Sequence, residues 1–472
     1  MNKPVAVSPF LLGFSLAAVV VATGQTPSRP HLDSVIRHGT GATLAWSDPV
    51  PDRAYTVQAW NGDGAPFWLT PRAPVPWPAT EHQWTDITAS ESAKRFYRVL
   101  AVTRADRGRL MNSVALGSYT AFQINIALSL AGIPLTASHD VEVYKLVYET
   151  IDPFGSRTIA SGALAVPKGS EPGWPLLSYQ HGTVAKKNEA PSATSTGEQW
   201  LGVVLAACGY VSALPDYLGL GDSPGLHPYH HAASEATAAV DMLRAARAFC
   251  ASSKIPLNNQ LFLIGYSQGG HATMALHREL EEYHSDEFTV TASAPMAGAY
   301  DLSGVTAEDA LSGRAMPNPY YFALLFAAYQ SVYHYAPDLA DILAPPYDKL
   351  LPPLLDGNHS SSEINAVMPK DITKALRADY LADLRSNPAN PLRLALRDND
   401  LYRWTPAAPM RLYHCAADAD VVFANSQVAF ASFRSRGAMQ VSLIDPNPSA
   451  GHGDCTVPGM LMVKQWFDSL KR

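Results

Sequence analysis

The hexapeptide Gly265-Tyr266-Ser267-Gln268-Gly269-Gly270 constrains this chain more than any other stretch. An apolar run, Leu261-Phe262-Leu263-Ile264, leads into it, and residues 271–282 leave it with the pattern of a helix. A strand that ends in Gly-x-Ser-x-Gly and passes straight into a helix holds its serine at the apex of a sharp turn, with the hydroxyl presented at the end of a sheet. Small residues at 265 and 269 let the strand and the helix approach closely enough for that turn. A serine hydroxyl is a weak nucleophile until a base takes its proton. The motif therefore asks for a histidine, and an acid to orient it, elsewhere in the chain.

Around the motif, strands and helices alternate. Residues 175–180, 210–215, 261–265, 410–415 and 440–444 read as strands, and 199–208, 232–250 and 270–282 as helices. That rhythm predicts an α/β fold with a mostly parallel sheet flanked by helices. Ahead of it, 110–131 reads as a helix. Residues 140–149 and 158–166 read as two strands joined by the turn at Asp152-Pro153-Phe154-Gly155. About a hundred residues, 301–400, interrupt the rhythm. Within them Phe322, Leu325, Phe326, Tyr329 and Tyr333 recur at helical spacing. Their position predicts a helical cap, with some of these side chains lining an apolar pocket.

Residues 30–102 have a different texture. Short alternating runs at 42–46, 55–60 and 95–100 are separated by turn-forming clusters such as Asn61-Gly62-Asp63-Gly64 and the proline-rich 71–78. This pattern predicts a small β-sandwich, and diffusely resembles a fibronectin type III module. Trp46, Trp68, Trp84 and Tyr97 are expected in its core; the alternative is an aromatic surface for a polymer. A short charged linker, 103–109, separates the module from an α/β domain over 110–472.

Composition narrows the class. Of 472 residues, 47% are hydrophobic and only 16% charged, which excludes a disordered chain. A net charge of -7 gives no electrostatic reason to bind nucleic acid. At the N-terminus, Asn2 and Lys3 precede an apolar run over 10–22 and the small residues of Ala22-Thr23-Gly24. This reads as an export signal over 1–24, cleaved after Gly24. The expected location is secreted or periplasmic, with no membrane span in the mature chain. The four cysteines, Cys208, Cys250, Cys415 and Cys455, suit an oxidising compartment and allow three pairings. No Cys/His group has zinc-ligand spacing. His227, His230 and His231 lack a carboxylate or cysteine at such spacing and read as a loop surface, so neither metal nor cofactor is expected.

In the fold that the serine motif implies, the triad runs in the order serine, acid, histidine. Asp418 and Asp420 follow the strand at 410–415. Asp418 is preferred because Val421 stands three residues on and can tuck into the core; Asp420 is the runner-up. His452, flanked by Gly451 and Gly453 in the loop after the last strand, is the expected base. An oxyanion needs donors. The backbone N–H of Gln268 should be one, and that of Thr183, in the turn His181-Gly182-Thr183, the other. The His181 side chain is expected to be structural.

Ser267, Asp418 and His452 together with the His181-Gly182 turn resemble the α/β-hydrolase superfamily, and more narrowly the secretory lipase family of fungal lipase A and its bacterial relatives. The stretches that carry the likeness are Tyr179-Gln180-His181-Gly182-Thr183, Asp216-Tyr217-Leu218-Gly219-Leu220-Gly221-Asp222, the serine hexapeptide and Trp404-Thr405-Pro406. The resemblance covers about 110–472 and implies hydrolysis of carboxylic esters beneath a helical cap. Relatives carry glycine at 415 and proline near 422, where this chain has Cys415 and Val422. If the acid and base loops meet as in the family, Cys415 and Cys455 stand together, and a bridge between them would clamp both loops. Cys208 with Cys250 follows by elimination only. The reading is an exported serine esterase acting on small-molecule or lipid esters, or on a polymeric ester with help from the β-module. A peptidase or acyltransferase on the same triad, and a non-catalytic binding protein, are the alternatives.

Overall fold

The computed structural model describes residues 17–18 and 29–472, apart from 40, 63–64, 90–93 and 194–196. Apart from the backbone of 17–18, the expected export signal over 1–24 lies outside the described residues. The chain forms two compact units. One holds the residues up to Asp106 with Ile151–Arg157 and Ala389–Pro391; the other holds Arg107–Thr150, Thr158–Pro388 and Leu392–Arg472.

In the first unit, Gly41–Ser47 lies between His31–His38 and Gln83–Asp86 in an antiparallel sheet, and Arg53–Trp60 pairs antiparallel with Phe96–Thr103. Burial alternates residue by residue along Gly41–Ser47, as a half-buried strand requires. Trp46, Trp84 and Tyr97 are core residues, packed with Tyr55, Val57 and Val99. They offer no surface to a polymer. Trp68 is half-buried, with the Arg98 guanidinium 4.6 Å from its ring centroid.

The second unit is built on nine strands: β1 (Leu110–Tyr119), β2 (Val141–Ile151), β3 (Arg157–Pro167), β4 (Trp174–Gln180), β5 (Val211–Pro215), β6 (Leu257–Tyr266), β7 (Val290–Met296), β8 (Met410–Tyr413) and β9 (Val441–Ile444). Their order across the sheet is β9-β8-β7-β6-β4-β5-β3-β2-β1. From β5 through β4 and β6 to β9, neighbouring strands are parallel, and β5 is antiparallel to β3. The helices are α1 (Ala121–Leu130), α2 (Glu198–Ala207), α3 (Ala232–Ser252), α4 (Gln268–Tyr283), α5 (Tyr320–Tyr333), α6 (Ala424–Ser435) and α7 (His452–Leu470).

Side chains alternate across β6, which explains its unbroken apolar run. Phe262 and Ile264 join a core with Val203 and Ala206 of α2 and Val463 and Phe467 of α7. Leu261 and Leu263 face the other side, with Val240 and Leu243 of α3 and Leu276 and Leu280 of α4. Each such side chain contributes roughly 2 kcal/mol on burial.

Two expectations are corrected. Residues 110–131 are not one helix. Leu110–Tyr119 is a strand paired antiparallel with β2, and the helix begins only at Ala121. The boundary is a capping box: Thr120 Oγ1 accepts from the Gln123 N–H at 3.2 Å, and Gln123 Oε1 accepts from the Thr120 N–H at 2.9 Å. His452 is not in a loop either. It is the first residue of the 19-residue helix α7, with Gly451 as its N-cap.

Between β7 and β8 the chain leaves the sheet for the expected helical insertion. It contains α5 and the shorter helices Ser361–Val367, Ala378–Ser386 and Pro391–Asp398. Among the described residues no helix is long and apolar enough to cross a membrane.

Loops at the carboxyl ends of parallel strands gather along one edge of such a sheet. The tightest is the turn from β6 into α4. Ser267 has φ 60° and ψ -121°, a left-handed backbone that a residue with a side chain adopts only under strain. The flanking glycines make it feasible. A Cβ at Gly269 would lie 2.0 Å from the Gln180 carbonyl oxygen, one at Gly270 2.1 Å from that of Met296, and one at Gly265 2.3 Å from that of Gly269. None of these backbone atoms can move without shifting a central strand or the helix itself. Gly269→Ala is therefore expected to lower stability by about 3 kcal/mol through overpacking, read from the denaturant midpoint. An unchanged midpoint would show that β4 and α4 can separate.

Candidate active site

Three side chains meet at this edge from three separate segments of the chain. Ser267 ends β6, Asp418 follows β8, and His452 opens α7 after β9. His452 Nε2 is 2.8 Å from Ser267 Oγ, and His452 Nδ1 is 2.6 Å from Asp418 Oδ2. A proton on Nδ1 donated to the carboxylate leaves Nε2 as acceptor for the serine hydroxyl. Ser267 and Asp418 are buried, and so is most of the His452 side chain.

Asp418 is held on every side. Its Oδ1 accepts from the backbone N–H groups of Asp420 and Val421, each at 2.9 Å. Its Oδ2 takes His452 and, at 3.2 Å, His414 Nε2. Burial pushes the carboxyl up, but the hydrogen bonds from His414 and His452 outweigh it and hold Asp418 well below the usual carboxylate range. It is ionised wherever the protein is folded near neutral pH. Asp420 points elsewhere: its Oδ1 accepts from Asn318 Nδ2 in the insertion at 3.0 Å.

His414 escaped the reading of the sequence. Its Nδ1 lies 2.8 Å from Ser426 Oγ, and its Nε2 lies 2.8 Å from the Val421 carbonyl oxygen as well as near Asp418. A histidine four residues before Asp418 was the available signal, hidden inside an apolar strand ending.

Gln268 and Thr183, expected as oxyanion donors, both lie in segments that follow strands at the Ser267 edge of the sheet. Gln268 is the first residue of α4, and Thr183 follows β4. Among the described residues, neither N–H has a backbone acceptor outside the helices and strands. Thr183 Oγ1 is 2.8 Å from the Tyr229 hydroxyl. His181 is structural: its ring nitrogens lie 2.7 Å from the Gly182 carbonyl oxygen and 3.1 Å from that of Asp216. Asp216 anchors this turn, bonding Ser161 Oγ at 2.6 Å and the Ser192 N–H at 2.8 Å.

His227, His230 and His231 are not a loop surface. All three are buried. The loop carrying them turns inward to support the first turn of α4, and burial lowers His227 to about 4 and His230 to about 3, so both rings are neutral. His230, Glu235 and His271 bring one donor atom each to within 4.8 Å of one another, a grouping with the donor types of a metal site that sequence spacing had not suggested. His271 Nδ1 and Glu235 Oε2 already bond each other at 2.6 Å, so a proton stands between the atoms that would ligate an ion.

A cavity of about 20 Å³ lies beside this loop, lined by Val184, Leu220, Leu226, Leu324, Ala327 and Leu354 among others. α5 reaches it with Leu324 and Ala327. Leu325, Phe326 and Tyr329, expected to line such a pocket, are buried on other faces of the helix.

Cys415 and Cys455 form a disulfide with Cα atoms 5.9 Å apart. The bridge joins the loop bearing Asp418 to the first turn of the helix bearing His452. Closing a 40-residue loop restricts the unfolded chain by about 4 kcal/mol in the chain-entropy account. Cys208 and Cys250 are free. They pack in the cores on opposite faces of the sheet, which excludes the pairing expected by elimination.

A mostly parallel nine-stranded sheet, a serine elbow after β6 and a helical insertion before β8 define an α/β-hydrolase. Comparison with known proteins narrows this. The family model for secretory lipases matches residues 189–470. The rice cell wall degrading esterase LipA from Xanthomonas oryzae is similar at 33% identity with a TM-score of 0.69, over 76% of this chain and 96% of that one. Candida antarctica lipase A shares the fold at 17% identity with a TM-score of 0.57, over 78% of this chain and 83% of that one. No curated protein matches the chain. The chain belongs to the secretory lipase family and is an ester hydrolase. The disulfide is the site's most direct assay: unreduced, denatured protein should expose two thiols, and non-reducing peptide mapping should recover Cys415 joined to Cys455. Four exposed thiols would remove the bridge.

Proposed function

We propose that this protein is an exported serine esterase acting through Ser267, His452 and Asp418 by way of an acyl-enzyme. The hydrogen-bonded run from Ser267 Oγ through His452 to Asp418 carries the reading. His452 Nε2 takes the proton as Oγ attacks the ester carbonyl carbon. Asp418, fixed by four donors, orients the ring and balances the charge it acquires. The oxyanion is received by the peptide N–H groups of Gln268 and Thr183. The alcohol leaves with the proton from His452, and water then releases the acid by the reverse relay. Every proton and charge in this scheme is handled by groups of this chain, so it assigns no step to a metal or cofactor. The family supports an ester rather than an amide as substrate.

Export is supported by the family, by the signal-like segment over 1–24 and by a disulfide at the site, which needs an oxidising compartment to form. We place the N-terminal β-module at 30–102 and the hydrolase domain at 110–472, with its cap over 301–400. A second reading, hydrolysis of esters borne by an insoluble polymer, is favoured by the likeness to an esterase that degrades rice cell walls. Release of soluble acid from an insoluble ester at a rate comparable to that from a soluble one would support it.

Two experiments test the assignment. Ser267→Ala should keep the wild-type melting temperature and lose p-nitrophenyl ester hydrolysis by several orders of magnitude; retained turnover would remove Ser267 from the chemistry. Asp418→Asn should lower kcat by about 10⁴-fold, whereas Asp420→Asn, bonded to the insertion, should change it less than about tenfold. The opposite ranking would transfer the acid to Asp420.

A further inference from the structure

Directly behind Ser267 lies a buried carboxylate that the proposed chemistry does not use. Glu235, in the first turn of α3, is 1% exposed. Its Oε1 accepts from Gln268 Nε2 at 3.0 Å, and its Oε2 accepts from His271 Nδ1 at 2.6 Å. Gln268 and His271 are three residues apart, one above the other on α4. The two oxygens of one carboxylate thus grip both ends of the first turn of the helix that starts at the nucleophile.

Each grip is backed by further bonds. His271 Nε2 faces the Asn399 carbonyl oxygen at 3.1 Å, so both ring nitrogens are donors in this arrangement. Asn399 Oδ1 in turn accepts from the Ala232 N–H at the start of α3 at 2.8 Å. The Gln268 carboxamide is held a second time by His227 Nε2 at 2.7 Å, and His227 Nδ1 donates to the Leu218 carbonyl oxygen at 2.8 Å. Two residues beyond His227, the Tyr229 hydroxyl meets Thr183 Oγ1. One loop therefore ties both segments that present oxyanion donors to a single network. Burial pushes the Glu235 carboxyl up, but the charge and hydrogen bond of His271 prevail and bring it down to about 2. The carboxylate stays ionised at neutral pH, and both its oxygens remain acceptors.

An ionised side chain in this position is costly unless its partners compensate it, and an apolar residue of the same size would pack without that cost. What the carboxylate adds is direction. The Gln268 N–H belongs to the peptide between residues 267 and 268. On its N-terminal side that peptide is fixed by the bond from Ser267 N–H to the Met296 carbonyl oxygen at 3.0 Å. On its C-terminal side it is fixed by the first turn of α4, which Glu235 clamps. We propose that Glu235 is the positioning residue of the oxyanion site, holding the Gln268 N–H on the developing charge through the side chains of Gln268 and His271. The proposal rests on the acyl-enzyme reading above. It predicts a defect confined to the transition state, because a displaced donor weakens only the charge that appears there.

The test compares two substitutions in the full chain. Glu235→Gln keeps an oxygen for Gln268 Nε2 and offers its own N–H₂ to a neutral His271, so the clamp survives without its charge. Glu235→Leu abolishes it. The leucine variant should lose about 30- to 100-fold in kcat with KM within about twofold, since a misplacement near 1 Å costs about 10²-fold. Binding of an aryl boronic acid, which forms a tetrahedral anion on the serine, should weaken in proportion. The glutamine variant should stay within about fivefold of wild type by both measures. A folded leucine variant with wild-type kcat, or with unchanged boronate affinity, overturns the proposal. If Glu235→Leu does not fold, Gln268→Met decides: it keeps the peptide N–H, loses both tethers and should show the same paired loss, and wild-type values would overturn the proposal. Wild-type protein labelled at Ser267 by a fluorophosphonate shows that the triad reading holds regardless of the variants' outcome. Failure to label overturns that reading and this proposal with it.

Discussion

The reversal of the backbone at Ser267 exists because three of its neighbours have no side chain. Gly265, Gly269 and Gly270 let β6, the start of α4 and the ends of β4 and β7 crowd to distances at which a methyl group would overlap a carbonyl oxygen. Ser267 carries the remaining strain in its own left-handed backbone. Because α4 begins at the very next residue, the serine hydroxyl and an unpaired helical N–H emerge side by side. On the proposed mechanism, nucleophile and anion donor are thus consequences of one turn rather than two separately built features. The sheet supplies the rest by geometry: parallel strands end on one edge, so the loops after β4, β8 and β9 reach the same place.

Much of this was legible in the sequence, where local rules and chain order act together. The apolar run 261–264 is buried on both faces and names a central strand. Glycine spacing names the turn. The order serine, acid, histidine restricts the partners to residues after the last two strands. The preference for Asp418 over Asp420 rested on spacing to Val421, and the structure gives the two side chains different partners. The Asp418 side chain accepts from the backbone N–H groups of both Asp420 and Val421, so it folds back over its own turn, whereas Asp420 faces Asn318.

Most of the misses have a common physical origin: they concern residues whose partners are distant in the chain. The strand Leu110–Tyr119 is defined by pairing with β2 across a helix and a loop, and its mixed, mostly exposed sequence carries no clear strand alternation, so it reads as a helix until Thr120 and Gln123 are read as a cap. His227, His230 and His231 look solvated because nothing nearby in sequence pairs with them. Their burial depends on Gln268 and His271, some forty residues on, and on the insertion, where the Tyr329 hydroxyl donates to the His230 carbonyl oxygen. His414 is a different case: its partner Asp418 is only four residues on, but the two meet only because the chain turns after the strand, and the strand ending hid the histidine among apolar residues. Cys208 and Cys250 were paired by arithmetic, and arithmetic does not know which face of a sheet a residue occupies.

The bridge between Cys415 and Cys455 has a consequence of another kind. Asp418 and His452 both lie inside the 40-residue ring it closes, along with β9 and α6. A single cut anywhere between them by a protease would open a ring rather than release a fragment. The piece bearing Asp418 and the piece bearing His452 would stay one molecule, joined a few residues from each. The bond is then a form of damage tolerance: the most exposed turns of this segment can be severed while Asp418 and His452, which bond each other at 2.6 Å, remain tethered.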